Sequence, residues 1–247
     1  MFPQLKVLCI WDCPNLLSFN FSEGFSGNLE SLESLEIKDC PRLKSFPDEG
    51  LPTPNLSTML VFNCKDLNKL PTMNSLTSLA TFFLHECPKI ECLPYGGMPS
   101  SLIQLSISDC DKLTPQKDWG LVHLEYLSHF QFIGERIGMK SFPEENLLPS
   151  CVISLHIGTM QSLKKLDDKG FQHLNSLKTL AIHCCDKLKS FPEQGLPDSV
   201  RSLCIQKCRK LAKKLKYTRG VEWHKVSHIK RIEIDDKVMY QRLPSLN

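Results

Sequence analysis

Apolar residues along this chain keep one frame that returns at intervals of 23 to 29 residues. With a cysteine taken as origin, Leu-like residues stand eight, five and three places before it and three after it. The second unit shows the frame in full as Leu32, Leu35, Ile37, Cys40, Leu43 and Phe46. The slot is filled by Cys13, Cys40, Cys64, Cys87, Cys110, Cys185 and Cys208. Two weaker units place Glu135 and Met160 there, with Phe142 arriving one residue late in the first of them. Without a gap, Ser31–Pro52 matches Ser176–Pro197 at thirteen of twenty-two positions. The L-x-I portion alternates as a short strand must, because successive side chains of a strand point to opposite faces. The later steps of three, followed by "FPDEGLP", "LPYGGMP" or "FPEQGLP", turn the chain back and forbid a long return helix.

The consensus L-x-x-L-x-I-x-x-C-x-x-L-x-x-F-P is close to that of a leucine-rich repeat, with C-x-x-L in place of C-x-L. No unit of this size can enclose its own aliphatic residues, so the units must stack strand beside strand. The predicted fold is an α/β solenoid, a leucine-rich-repeat horseshoe. Its curved parallel β-sheet lies on the concave side, with turns, loops and short 3₁₀ pieces on the convex side. One domain is expected over 1–247, with about nine repeats and a terminal strand through Ile229, Ile232 and Ile234. Residues 205–247 form the terminal unit. In this arrangement the slot cysteines are structural: small and apolar enough to bury, each with a weak S–H for a nearby carbonyl.

Composition narrows the function classes. A formal charge of +3 is too small to imply a nucleic-acid partner, and no apolar run is long enough for a membrane span. The start "MFPQLKVLCIWDCP" has no secretory leader pattern, so a cytoplasmic location is expected, and the sequons at Asn20 and Asn55 are expected to be idle. Twelve cysteines shared out along the repeat read as packing residues rather than a disulfide scaffold. Cys9/Cys13, Cys204/Cys208 and the "HCC" run at His183–Cys185 invite a zinc reading. Each joins an outward strand position to the inward slot, so the sulfurs should diverge. No Cys/His or Ser/His/Asp arrangement suggests a nucleophile with its base, and an enzyme is not expected.

The motifs "LEIKDCPRLKSFPDEGLP" and "LAIHCCDKLKSFPEQGLP" resemble the C-terminal repeat region of plant intracellular immune receptors of the coiled-coil, nucleotide-binding type. The tail "GVEWHKVSHIKRIEIDDK" looks like that family's terminal segment, with Gly220, Glu222, Trp223, Lys225, His228, Ile229 and Ile234 in place. The resemblance implies recognition of a pathogen effector or a guarded host protein. It also implies an inhibitory contact with a nucleotide-binding domain, and ADP or ATP bound only in that upstream domain. No G-x-x-x-x-G-K-[ST] loop occurs here and residue 3 already lies in a repeat, so that domain is expected outside this chain and no cofactor within it. A leucine-rich-repeat adaptor of a ubiquitin ligase, or another scaffold binding protein, is the alternative.

Strand phase nominates the partner-binding residues on the concave face: Trp11, Lys38, Phe62, Phe83, His85, His129, Gln131, His156 and His183. Aromatic and imidazole side chains gathered on one sheet face resemble a protein-binding patch, unless neighbouring side chains cover them. From Arg201 to Arg231 eleven cations face one acid, Glu222. This reads as a solvated terminal unit or as a surface for an acidic region of the switch domain, with a nucleic-acid or anionic-membrane patch a further reading.

Overall fold

A computed structural model of the chain describes residues 4–19, 29–73, 75–94, 97–134, 138–215 and 220–241. The slot residue Glu135 and the sequon residue Asn20 lie outside them. The chain divides into two compact units, Met1–Leu127 and Ser128–Asn247.

In the first unit, β1 (Val7–Trp11), β2 (Ser34–Lys38), β3 (Thr58–Phe62), β4 (Thr81–His85) and β5 (Gln104–Ser108) form a parallel sheet in chain order. Its register reproduces the sequence repeat: Leu8, Leu35, Met59, Phe82 and Leu105 lie side by side, as do Ile10, Ile37, Val61, Leu84 and Ile107. From β2 to β5 these residues are fully buried, each contributing roughly 1.5–3 kcal/mol. Leu5, Leu8, Ile10 and Cys13 of the first repeat are only half-buried. Where the frame lapses after Leu113, two 3₁₀ turns, Lys117–Trp119 and Leu121–His123, carry the chain onward and bury Trp119 and Leu121.

The second unit contains β6 (His129–Ile133), β7 (Ser141–Phe142), β8 (Ser154–Gly158) and β9 (Lys165–Leu166). Then come α1 (Asp168–Gln172), β10 (Thr179–His183), β11 (Ser202–Gln206), α2 (Arg209–Leu215), β12 (Arg231–Ile234) and β13 (Lys237–Gln241). Its main sheet runs β6-β8-β10-β11-β12-β13, parallel as far as β12. β7 and β9 make a second, short parallel ladder on the outer turns. Met160 fills the slot of its repeat and is buried, and Phe142 packs on Phe132 with ring centroids 6.2 Å apart. Both units are thus parallel β-solenoids of the leucine-rich-repeat kind, with little helix.

Beyond the expected strand through Ile232 and Ile234, the chain turns at Asp235 and Asp236, both at positive φ, and returns as antiparallel β13. The repeat frame carried no sign of this strand, because a hairpin pairs outside the stacking register.

Cys40, Cys64, Cys87, Cys110, Cys185 and Cys208 are buried, and Cys13 is half-buried. Each thiol donates to the carbonyl two residues earlier, as Cys40 Sγ does to Lys38 O at 3.4 Å and Cys185 Sγ to His183 O at 3.3 Å. Cys40 and Cys110 also reach the strand of the preceding repeat, at Ile10 O (3.7 Å) and Leu84 O (3.5 Å). Burial pushes the Cys40 thiol up, which keeps it protonated. All twelve cysteines are free.

The residue before eight of the nine slots takes the left-handed conformation: Asp12, Asp39, Asn63, Glu86, Asp109, Thr159, Cys184 and Lys207 have φ between 50° and 56°. That geometry costs a non-glycine residue energy, least for Asp and Asn, which hold four of the eight positions. In return the turned N–H extends the strand ladder by one bond, as in Asp39 N to Phe62 O at 3.1 Å and Cys184 N to Gln206 O at 2.9 Å.

The basic terminal segment is not uniformly solvated. Glu222 is buried, accepts from Phe191 N at 3.0 Å and pairs with Lys225 at 3.3 Å, while Lys225 Nζ donates to Phe191 O at 3.4 Å. His228 Nε2 lies 3.1 Å from Pro197 O. The tail is therefore pinned to the "FPEQGLP" turn of the preceding repeat largely through backbone groups.

Candidate recognition surface

Strand positions that point away from the core form an open face in each unit. In the first, β3 and β4 pair Leu60 with Phe83 and Phe62 with His85. His85 is the centre of the group. Its ring stacks parallel to Phe83 (5.8 Å, 6°) and meets Phe62 edge-on (4.6 Å, 67°). Its Nε2 shares a 2.8 Å hydrogen bond with Ser106 Oγ on β5, which the imidazole covers so well that Ser106 is buried. Burial holds the His85 pKa below its ordinary 6.5, against the opposing pull of Asp109 and Glu86, so the ring is neutral at neutral pH. The patch is therefore an oriented aromatic surface, not a cationic one.

Trp11, Lys38 and Glu36 extend this face towards β1; Trp11 is 58% exposed and Lys38 is exposed. Phe62, Phe83 and His85 are half-buried because they lean on one another. Strand phase alone had put all of these on one face, and the mutual cover of the ring trio is what it could not supply.

In the second unit, Gln131, His156 and Ala181 occupy one row across β6, β8 and β10. His156 Nδ1 lies 3.0 Å from Gln131 Oε1, and an amide oxygen only accepts, so Nδ1 carries the proton. His183 meets His156 edge-on at 4.9 Å. Space for its ring comes from Gly158: a Cβ there would stand 2.1 Å from His183 Nε2. Burial, then the neighbouring His183, lowers the His156 pKa. His129 is exposed at the start of β6. Sequence reasoning passed over Ser106 and Gly158, the two supports. A glycine in a column that also holds Trp11, Phe62, His85 and His183 was the available signal for the second.

Cys9 is exposed, while Cys13 turns its thiol to Trp11 O at 3.4 Å, so the two are spent on different surroundings. Cys204 is half-buried whereas Cys208 is buried. Among the described residues, no three His, Cys, Asp or Glu side chains converge as metal ligands. Clefts open elsewhere, on the outer turns. One of about 580 Å³ lies by Leu93, Pro94 and Trp119, and another of about 360 Å³ by Phe171, Asn175 and Pro197. Neither is lined by the open-face residues. No helix among the described residues is long and apolar enough to cross a membrane.

No family model matches the chain. Individual relatives do. Protein At3g14460 of Arabidopsis thaliana, named for disease resistance, is 44% identical over 239 residues, covering 96% of this chain and 17% of the relative. The disease resistance protein RF45 of the same plant is 26% identical over 239 residues, 97% of this chain and 18% of its own length. A third, RF9, matches 78 residues at 35% identity, 32% of this chain and 7% of the relative. The chain thus spans less than a fifth of the length of these relatives. Along almost all of its own length it is homologous to a region of plant disease resistance proteins, and its own units are parallel β-solenoids of the leucine-rich-repeat kind.

Proposed function

We propose that this chain is the protein-recognition segment of a plant intracellular immune receptor, acting by binding and not by catalysis. It reads a partner protein through the open faces of its sheets. The partner is a pathogen effector or a host protein that effectors target. In a full-length receptor the same repeats restrain the nucleotide-binding domain until that partner arrives, and the receptor works in the cytoplasm. The observation that carries the reading is the Phe62–Phe83–His85 group. Three rings are oriented by one another and by Ser106, half-exposed on a face that the core does not use. Pre-oriented aromatic side chains are the usual anchors of a protein interface, since little entropy remains to be lost on binding. His156 and His183 supply a comparable group in the second unit.

The test places Phe83→Ala with His156→Ala in the full-length receptor and measures partner-triggered signalling. The fold should survive, with stability changed by about 0.5 kcal/mol per site, while each lost anchor weakens binding by about 2 kcal/mol. Leu105→Ala, fully buried, is the control that should lose signalling by unfolding, at roughly 2–5 kcal/mol. Normal signalling by the open-face pair with every effector the receptor detects would move recognition off these faces.

A further inference from the structure

On the outer turns of the second unit, the short ladder of β7 and β9 continues to Ser190, which bridges Lys165. The residues just before each rung are Lys140, Lys164 and Lys189. Backbone bonds hold them in register: Lys164 N to Lys140 O at 2.9 Å, and Lys189 N to Lys164 O at 3.0 Å. Three exposed lysines thus leave adjacent rungs at equivalent positions, their backbones about 4.8 Å apart along the stack. Like charges placed so are mutually destabilising. Lys187, on the turn after β10, and Lys210, in the first turn of α2, each two residues after a slot cysteine, add two more exposed cations.

The first unit shows how this fold otherwise treats such cations. The equivalent rungs there, ahead of the Ser18–Ser45–Lys69 bridges, carry Leu17, Lys44 and Asn68, so a single cation stands between neutral neighbours. Three of its outer lysines meet a carboxylate one repeat away: Lys89 on Asp66 and Lys112 on Glu91, each at 2.6 Å, and Lys69 on Asp48. Lys140, Lys164, Lys187, Lys189 and Lys210 have no ion pair among the described residues. Of the nearby acids, Asp167 accepts from Gly170 N, Asp168 from Glu193 N, and Glu145 takes Lys169, while Glu144, Asp186 and Glu193 make no ion pair among the described residues and leave the ladder lysines unpaired.

We propose that this lysine ladder is a docking surface for an acidic protein segment, distinct from the open-face site. Its chemistry selects carboxylates, the group that satisfies the same cations elsewhere in this fold. Among the described residues the exposed large apolar ones are Val7, Trp11, Leu17, Ile103, Tyr126, Val221, Val238 and Met239, none of them between 138 and 215. The ladder therefore has no aromatic platform on which nucleic-acid bases could stack and no apolar side chain to insert into a bilayer.

The experiment is fluorescence anisotropy of a labelled 20-residue polyglutamate peptide with the whole chain at 50 and 300 mM NaCl. A 20-nucleotide oligouridine and vesicles of 70:30 phosphatidylcholine to phosphatidylserine are run as competing probes. The peptide should bind, with affinity falling at least several-fold at the higher salt, and more tightly than either other probe. Lys140→Glu/Lys164→Glu/Lys189→Glu should weaken it at least tenfold while raising the low-salt melting temperature, since the like-charge stack is relieved. The corresponding Gln triple should fall between. Lys89→Glu/Lys112→Glu in the first unit should leave peptide binding unchanged. Unaltered binding by the triple variants, equal loss in the first-unit variant, or tighter binding of oligouridine or vesicles would overturn the proposal.

Discussion

Glu222 and Lys225 form an ion pair at 3.3 Å, with side chains only 8% and 11% exposed, and both spend their remaining capacity on the backbone of Phe191. One accepts the Phe191 N–H and the other donates to its carbonyl. The pair thus stands in for the next repeat, satisfying peptide groups that a further strand or turn would otherwise satisfy.

Removing one partner should therefore be costly. Glu222→Ala leaves a buried ammonium and an unpaired N–H, and should destabilise by about 3–5 kcal/mol in urea unfolding. Glu222→Gln keeps an acceptor for Phe191 and should lose less. Raising salt should hardly alter the parent's stability through this pair, unlike the solvent-exposed Lys89–Asp66 pair. An Ala variant as stable as the parent would show that the tail is held by Val226, Ile229 and Ile232 alone.

The slot cysteines give a paired prediction. Cys40→Ser shortens the side chain, so the contacts to Lys38 O and Ile10 O stretch in a site from which water is excluded. The expected loss is roughly 1–3 kcal/mol. Cys9→Ser, on the open face, should stay within about 0.5 kcal/mol. Equal losses would mean that burial at the slot does not set the choice of cysteine.

These two cases also show what a reader of the sequence could see. Strand register was legible at once, because in a parallel stack the alignment of repeats is the pairing: Leu35 beside Met59 beside Phe82. The inward slot was legible for the same reason. The tail clamp was not, since Glu222 reads as a lone acid among eleven cations until the Phe191 backbone is placed beside it. Nor was the lysine ladder, whose members are separated by 24 and 25 residues and meet only through outer-turn register. On the candidate site, strand phase placed Phe83 and His85 on one face. Their stacking, and the cover over Ser106, depend on side-chain torsions that no periodicity encodes.

Thiol chemistry separates the twelve cysteines by burial. Cys9 and Cys92 are exposed, while burial raises the Cys40 thiol, and hydrogen bonding of its S–H to the sulfur neighbours Cys110 and Cys64, then burial, raises that of Cys87. Iodoacetamide on the native chain near pH 7.5 should label Cys9 and Cys92 first, and the slot cysteines only on the time scale of unfolding. Peptide mapping by mass spectrometry reads the order. A reductant should leave the melting temperature unchanged, because all twelve sulfurs are free. A melting temperature that falls with reductant would require a disulfide in the native protein.

The last prediction concerns His156. Its folded pKa lies below the ordinary 6.5 because the ring is partly buried and because His183 stands 4.9 Å away. The sign for stability follows. Above about pH 6.5 the neutral ring is favoured in both states and the native contact with Gln131 is intact. As pH falls below 6.5 the unfolded chain takes up the proton first, so stability declines until the folded ring titrates as well. His183→Ala removes the neighbouring charge and part of the cover, so the His156 pKa should rise towards 6.5 and this decline should flatten. Gly158→Ala should act in the same direction by a different route: its Cβ cannot coexist with the present His183 ring position, and the ring must swing away. An NMR titration of the His156 ring proton in the parent and both variants decides the matter. A pKa that moves further down in either variant would mean that His183 stabilises the protonated form of His156, the reverse of the arrangement described here.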